Sequence, residues 1–200
     1  MKNIFSTKRI FDRFPEIETN SLWLKEIKSH HAGYIFDHFS AEAVHRFLNL
    51  DPMRSVKDAE RLIALLDSRF RQEKGIRWGI TRKGSGRIIG TVGYNTWSKR
   101  KFQAELGYDL SEAYWRQGIT TESVEAVIRF GFTRMHLLKI EALILPENVA
   151  SETFIQRQGF QWEAMVREFQ IPKGHYAPMM VYTLERHQWL TRTWSIAQDT

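Results

Sequence analysis

Residues 107–122 read GYDLSEAYWRQGITTE, and this stretch decides the fold because a strand, a loop and a helix follow one another within it. The strand is predicted over Phe102–Leu110, where side chains alternate between two faces. One face carries Leu106, Tyr108 and Leu110, and the other carries Glu105, Gly107 and Asp109. A helix is predicted after Gly118 because apolar residues recur there at helical spacing. A strand that leads through a loop into a helix indicates an α/β fold.

The loop before this helix is predicted to bind an anion. Gly118 lets the backbone approach a ligand closely. The amides of Gln117–Thr121 lie at a helix N-terminus, where the helix itself supplies no acceptors and its dipole adds partial positive charge. The segment therefore suits a pyrophosphate. The alternative is an ordinary turn in which Thr120 or Thr121 caps the helix.

Strands and helices alternate around this stretch with no repeat and no linker, so residues 1–200 are predicted to form one α/β (α+β) domain. The other predicted strands are Ser21–Ile27, Arg77–Thr81, Arg87–Trp97, Ile140–Leu145, Phe160–Ile171 and Tyr176–Leu184. The other predicted helices are Tyr34–Leu48, one that begins at a capping box over Ser55–Asp58, one between Asn148 and Gly159, and a short helix in the apolar tail 186–200. The strand at 140–145 is expected to lie parallel to the strand at 102–110, because a helix connects them.

The chain has no cysteine, which excludes disulfides, Cys-ligated zinc, iron–sulfur clusters and a thiol nucleophile. Its apolar fraction of 42 % and charged fraction of 26 % are ordinary for a globular protein. No apolar run approaches the roughly 18 residues of a membrane span. Residues 1–10 lack the apolar core of a secretory signal. We therefore expect a cytoplasmic protein with no membrane partner.

The net charge of +6 is unevenly spread along the chain. Residues 1–100 carry 19 basic and 11 acidic side chains, whereas residues 101–200 carry 10 and 12. The densest basic stretch, Arg69–Lys101, suits a polyanionic ligand such as nucleic acid, or else a solvated surface that keeps the protein soluble.

Two blocks of sequence resemble the GCN5-related N-acetyltransferases (GNAT), and the similarity covers about residues 20–185. The first block is YWRQGITTE at 114–122, and the second is LPENVAS at 145–151 followed by RQGF at 157–160. Within the family the chain looks most like the branch that acetylates the N-terminal amine of ribosomal proteins. The resemblance implies a mixed, mostly antiparallel sheet of six or seven strands, flanked by helices, with a parallel, splayed strand pair at the cofactor site.

The resemblance also implies the residues of the site. Acetyl-CoA is expected as co-substrate, bound by Leu106, Gly107, Tyr108, Arg116, Gln117, Gly118, Ile119, Thr120, Thr121, Asn148 and Ser151. Glu105 is the candidate base that takes a proton from the amine, and an exposed strand carboxylate is the alternative. Ser151 is the candidate for protonating the departing sulfur, whereas Asn148 and Ser151 in the first turn of a helix are also explained by capping alone.

The implied reaction is direct transfer of an acetyl group from acetyl-CoA to a primary amine, in agreement with the absence of cysteine. The expected acceptor is a protein or peptide N-terminus. The alternatives are a small amine (polyamine, amino acid, aminoglycoside or peptide antibiotic) and a non-catalytic module that binds acyl-CoA or associates with nucleic acid. Nucleic acid is not the expected partner, because CoA is itself a polyanion. The protein is expected to be a monomer or a homodimer.

The seven histidines predict no metal site. His38 and His45 lie at a spacing that allows one helix face, but no His-Glu-x-x-His sequence or carboxylate at ligand spacing accompanies them. His175 and Tyr176 follow the last predicted turn, near where relatives close the acceptor pocket, and a place on the surface is the simpler interpretation.

Overall fold

The computed structural model describes residues 11–45, 52–170 and 176–198, and within them the backbone forms a mixed sheet of eight strands. The strands are β1 (Ile17–Glu18), β2 (Leu22–Glu26), β3 (Ile76–Arg82), β4 (Gly90–Ser98), β5 (Gln103–Leu110), β6 (Lys139–Ile144), β7 (Gln161–Gln170) and β8 (Tyr176–Glu185). Their spatial order is β1-β2-β3-β4-β5-β6-β8-β7. All neighbours are antiparallel except β5 and β6, which confirms the predicted mixed, mostly antiparallel α/β architecture.

The strand count is higher than the six or seven expected, because β1 has only two residues, too few for an alternating pattern. It pairs with β2 through Ile17 opposite Leu24 and Glu18 opposite Trp23. The strand predicted to start at Arg87 starts at Gly90. The predicted hairpin is confirmed by the antiparallel pairing of β7 with β8, and its turn lies outside the described residues.

The α-helices in the described ranges are α1 (Ala32–Ser40), α2 (Glu42–His45), α3 (Val56–Arg71), α4 (Ile119–Thr133), α5 (Val149–Arg157) and α6 (Arg186–Gln198). The bounds predicted for the helix Tyr34–Leu48 are wrong, because its backbone turns extended at Ala41. Phe47 and Leu48 lie outside the described residues. The capping box before α3 is confirmed: the Asp58 carboxylate accepts from the Ser55 amide at 2.9 Å.

Helices cover both faces of the sheet and divide the core into two apolar clusters. On one face α4 packs against β4, where the Tyr94 hydroxyl donates to the Val127 carbonyl at 2.8 Å and Gly131 leaves room for the Tyr94 ring. On the other face α1 and α3 bring Ile35 and Ile63 into a separate cluster. The strands between the two clusters therefore present an apolar face to α4 and a partly polar face to α1 and α3.

The tail predicted to pack as a short helix forms α6. The ring of Trp189 lies 5.3 Å from the ring of Phe132 on α4, centroid to centroid. The side chain of Trp194 is outside the described part of the structure. No helix within the described ranges is long and apolar enough to cross a membrane.

The strands β5 and β6 pair over only part of their length. Their parallel ladder runs from Gln103 opposite Lys139 to Leu106 opposite Ala142. Beyond that point β5 stays paired with β4 as far as Leu110, and β6 stays paired with β8. The two strands therefore separate in the middle of the sheet, as the resemblance implied.

Candidate active site

The gap between β5 and β6 opens into a cavity of about 900 Å³. Residues of both strands line it, and it continues to both faces of the sheet. On the face covered by α4 and α5 it reaches Phe154, and on the face covered by α1 and α3 it reaches Phe39 and Leu62. One cavity thus connects the two sides of the sheet through the separated strands.

The loop before α4 has the geometry of an anion site. Arg116 and Gly118 both adopt left-handed backbone conformations, with φ of 60° and 76°. The first hydrogen bond of α4 runs from the Glu122 amide to the Gly118 carbonyl at 3.0 Å, so the amides of Ile119–Thr121 have no acceptor within the helix. A Cβ atom at Gly118 would meet nothing within 4 Å, so the space in front of the loop is open. Arg116, Gly118 and Ile119–Thr121 line the cavity.

Other side chains of this segment hold the loop in place. The Gln117 side-chain amide (Nε2) donates to the Ala113 carbonyl at 2.9 Å, and Gln117 is the one predicted cofactor residue that does not line the cavity. The Glu122 carboxylate accepts from the amide and the hydroxyl of Ser21, each at 2.6 Å, and ties α4 to the start of β2. The segment therefore combines amides that have no acceptor within the helix with side chains that hold the loop in place.

Two hydroxyls meet on the α5 side of the gap. The Tyr108 hydroxyl lies 2.6 Å from Ser151 Oγ, and both residues line the cavity. Burial raises the pKa of Tyr108 to about 12, although the hydrogen bond with Ser151 opposes the rise, so this hydroxyl keeps its proton at neutral pH. Asn148 also lines the cavity, and its Oδ1 accepts from the Ser151 amide at 3.1 Å, as an N-cap does.

Glu105 lies on the opposite face of β5, where it also lines the cavity. Its Oε1 accepts from the Asn95 side-chain amide at 2.9 Å, and its Oε2 accepts from the Thr96 hydroxyl at 3.4 Å. The carboxylate is therefore accessible and held by two neighbours on β4.

Asp109 lies two residues further along the same face of β5 and is buried. It accepts from Arg77 Nη2 at 2.5 Å and from the Thr91 amide and hydroxyl at 2.8 and 2.7 Å. Burial alone would raise the pKa of this carboxyl. Arg77 and the hydrogen bonds from His38 and Thr91 outweigh burial and hold the pKa of Asp109 well below its usual range. Asp109 is therefore ionised at neutral pH.

His38 is buried beside Asp109, which its position in the sequence did not predict. His38 is 3 % exposed, with Nε2 2.6 Å from Asp109 Oδ1 and Nδ1 2.7 Å from Ser111 Oγ. Because an ionised carboxylate only accepts, the Nε2–H of His38 donates to Asp109. The side chain of His45 and all of His175 lie outside the described part, and Tyr176 is exposed. Within the described residues no group of three or more histidine and carboxylate side chains is arranged to hold a metal ion.

Several cations of the basic stretch Arg69–Lys101 are engaged in ion pairs. Arg77 is nearly buried in the ion pair with Asp109, Arg71 pairs with Asp67, and Lys83 pairs with Glu18. These three cations are therefore engaged in separate contacts, and one of them, Arg77, lines the cavity.

Sequence reasoning missed Arg77, Asn95 and His38, which approach the site from other strands and from α1. One signal was present: Gly107 stands between two acidic residues on the same strand face, and a glycine inside a strand often marks a close approach.

Comparison with known proteins gives a match over residues 21–161 to the family described as Acetyltransferase (GNAT) domain. Over 171 residues the chain is 32 % identical to the uncharacterized N-acetyltransferase YoaA of Bacillus subtilis (strain 168), with 86 % of this chain and 97 % of the relative covered. A Vibrio cholerae structure provisionally named a ribosomal-protein-serine acetyltransferase superposes with a TM-score of 0.78 at 25 % identity, covering 86 % of this chain and 98 % of the other. RimL, described as a ribosomal L7/L12 alpha-N-protein acetyltransferase in complex with coenzyme A, superposes with a TM-score of 0.75 at 18 % identity, covering 86 % and 98 %.

Proposed function

The chain belongs to the GNAT acetyltransferase family and is an N-acetyltransferase, and from this premise we propose that it transfers an acetyl group from acetyl-CoA to the N-terminal α-amine of a protein or peptide. The cavity between the separated strands β5 and β6 carries the proposal. The Tyr108–Ser151 hydroxyl pair lies on one face of the sheet at this gap, and the Glu105 carboxylate lies on the other. Groups that give and take a proton therefore border the same cavity.

The residues at the gap fit acetyl-CoA, which supplies the acetyl group as an activated thioester. The free amides of Ile119–Thr121 and the charge of Arg116 suit its phosphates. The edge of β5 beyond Leu106 has no partner strand on the β6 side and offers backbone groups to the pantetheine amides. Asn148 and Ser151 border the same space. The coenzyme A complex of RimL, which shares the fold, supports this assignment.

The proton transfers can be assigned to residues of this chain. The amine must lose a proton before it attacks, because an ammonium has no lone pair, and Glu105 takes that proton directly or through a water. The amine nitrogen then bonds to the acetyl carbon, the carbon–sulfur bond breaks, and the Ser151–Tyr108 pair gives a proton to the departing thiolate. The second proton that the nitrogen loses as it becomes an amide passes through water and restores the pair. A backbone amide between Leu106 and Tyr108 donates to the acetyl oxygen as charge develops there. No residue carries the acetyl group, in keeping with a chain that has no cysteine.

The charges in the cavity favour a peptide N-terminus over a polyamine or an aminoglycoside. The charged residues that line it are Arg77, Arg116, Glu105 and Asp109, and Asp109 is already neutralised by Arg77. A polycation needs several free carboxylates, whereas a single amine needs one. The wall formed by α1 and α3 is apolar and accepts the side chain next to the amine.

The proposal is tested by thiol release from acetyl-CoA with three acceptors: an octapeptide with a free N-terminal alanine, its N-acetylated twin and spermidine. Turnover with the free peptide, with a gain of one acetyl group by mass spectrometry, is the expected result. Turnover with spermidine alone would favour the small-amine alternative. Tight acetyl-CoA binding without turnover on any acceptor would favour a non-catalytic module.

The setting of the reaction belongs to the same proposal. We expect the enzyme in the cytoplasm, because a chain without disulfides fits a reducing compartment. We also expect it to act as a single domain and as a monomer or homodimer.

A further inference from the structure

A continuous chain of polar side chains crosses three strands on the α1 and α3 face of the sheet. It starts at His38, passes through Asp109 at 2.6 Å and Arg77 at 2.5 Å, continues through Asn95 at 2.8 Å, and ends at Glu105 at 2.9 Å. Its inner end is buried and its outer end is the accessible carboxylate in the cavity. The candidate base is therefore joined to a buried ion pair.

A β-bulge delivers Asn95 to this chain. Tyr94 pairs with Leu106 and Thr96 pairs with Glu105, so Asn95 is the extra residue of β4. In a regular strand Asn95 and Thr96 would point to opposite faces, but at the bulge both side chains reach the Glu105 carboxylate. The bulge carbonyl in turn accepts from Arg69 of α3. Each oxygen of Glu105 thus has its own donor.

The orientation of the Asn95 amide is fixed by Arg77. A guanidinium has only donors, so Asn95 Oδ1 must face Arg77 Nη1, and Nδ2 must then face Glu105. Arg77 has little freedom of its own, because Nε donates to Thr91 Oγ1 at 2.8 Å and Nη2 donates to Asp109. The buried pair decides which end of the amide meets the carboxylate.

Gly107 makes room for this arrangement. A Cβ atom at Gly107 would lie 2.5 Å from Arg77 Nη1 and 2.7 Å from Asn95 Nδ2. The two side chains therefore cross β5 directly over the glycine, between Glu105 and Asp109.

We propose that Asn95 is a positioning residue for Glu105: held on the bulge and oriented by Arg77, it fixes the carboxylate in the direction from which the acceptor amine approaches. The inference rests on the proposed function, in which Glu105 is the base. A long side chain loses rotamer entropy when hydrogen bonds hold it in one conformation. Because Asn95 holds the Glu105 carboxylate before the amine binds, this entropy is not lost during the proton transfer.

The test compares Asn95→Asp, Asn95→Ala and Thr96→Val, each alone and combined with Glu105→Gln, using acetyl-CoA and the octapeptide with a free N-terminal alanine. Asn95→Asp keeps the shape and the acceptor for Arg77 and replaces the donor to Glu105 by an acceptor. Asn95→Ala removes the contact without adding charge. Thr96→Val is the graded comparison, since it removes only the longer of the two contacts to Glu105, at 3.4 Å.

We expect both Asn95 variants to lower kcat about tenfold or more, the loss of a hydrogen bond to a charged group, with KM for acetyl-CoA within twofold of wild type. Thr96→Val should stay within about threefold. In the Glu105→Gln background the Asn95 substitutions should cause no further loss, because the residue acts through Glu105.

Equal losses in both backgrounds would overturn the inference, since Asn95 would then act independently of Glu105. Wild-type kcat in both Asn95 variants, with Glu105→Gln impaired, would overturn the inference alone. Wild-type kcat in Glu105→Gln would remove the base assignment and the inference together.

Discussion

The hydroxyls of Tyr108 and Ser151 lie 2.6 Å apart across the gap between β5 and α5. Neither element positions this pair alone: Tyr108 lies on β5 beyond the end of its pairing with β6, and Ser151 lies in the first turn of α5. Burial raises the pKa of Tyr108 to about 12, so at neutral pH the pair still carries a proton that it can give to the departing thiolate.

This pair predicts non-additive losses. Ser151→Ala and Tyr108→Phe should each lower kcat several-fold, because a thiolate with an ordinary pKa of about 8.5 benefits from a proton without depending on one. The double variant should lose little more than either single variant, since the two hydroxyls act as a unit. Steady-state kinetics with acetyl-CoA and the octapeptide measures this, and multiplicative losses would show that the hydroxyls act separately.

Glu105→Gln should lower kcat by about 10²-fold or more, the usual contribution of a general base. Acetyl-CoA affinity, measured by calorimetry, should stay within twofold, because Glu105 lies on the face away from α5. Glu141→Gln is the matched control: Glu141 stands directly opposite Glu105 on β6 but does not line the cavity. Equal losses in the two variants would speak against a specific role for Glu105.

Gly107→Ala should lower kcat by at least tenfold, because the new Cβ would displace Arg77 and Asn95 from their positions over the strand. Gly86→Ala is its control, since a Cβ at Gly86 meets nothing within 4 Å. A crystal structure of Gly107→Ala should show the Asn95 amide withdrawn from Glu105. Normal turnover with the amide in place would contradict the steric argument.

Asp109→Asn should lower the free energy of unfolding at pH 7 by about 3–5 kcal/mol, because it leaves the buried Arg77 without its partner. The folded pKa lies below the ordinary value of 3.8, so this stabilisation is complete above about pH 4 and is lost as the pH falls further towards the folded pKa. Urea unfolding at several pH values measures both effects. Asp67→Asn, which breaks the exposed pair with Arg71, should cost less than about 1 kcal/mol.

His31 predicts a second pH window. Burial, with the nearby charges of His30, Lys28 and Lys25, lowers the pKa of His31 from 6.5 to about 4, and its Nδ1 accepts from the Lys28 amide at 2.9 Å. Between these two pKa values the unfolded chain binds a proton at His31 and the folded chain does not. The free energy of unfolding should therefore fall as the pH drops from about 6.5 to about 4.

Replacing His31 by Gln should flatten the unfolding free energy over that window. An unchanged slope in the His31 variant would assign the pH dependence to other groups.

Much of the part of the cavity proposed to bind the cofactor could be predicted from local sequence. The strand Phe102–Leu110, the left-handed Gly118 and the helix after it are contiguous, and each depends on contacts within a few residues. For that reason Arg116 and Gly118–Thr121 lie together along the cavity. The end of the helix at Ala41 was missed because the apolar spacing of the predicted helix Tyr34–Leu48 continues across it, and β1 was missed because two residues are too few for an alternating pattern.

The sequence by itself determined the strand–loop–helix unit, the absence of thiol chemistry and the choice of Glu105 as candidate base. The tertiary structure alone decided what surrounds Glu105, because Arg77, Asn95 and His38 come from separate elements and meet only through the register of antiparallel strands and a single bulge. A local pattern cannot encode that register, since it is set by hydrogen bonds between residues far apart in the chain.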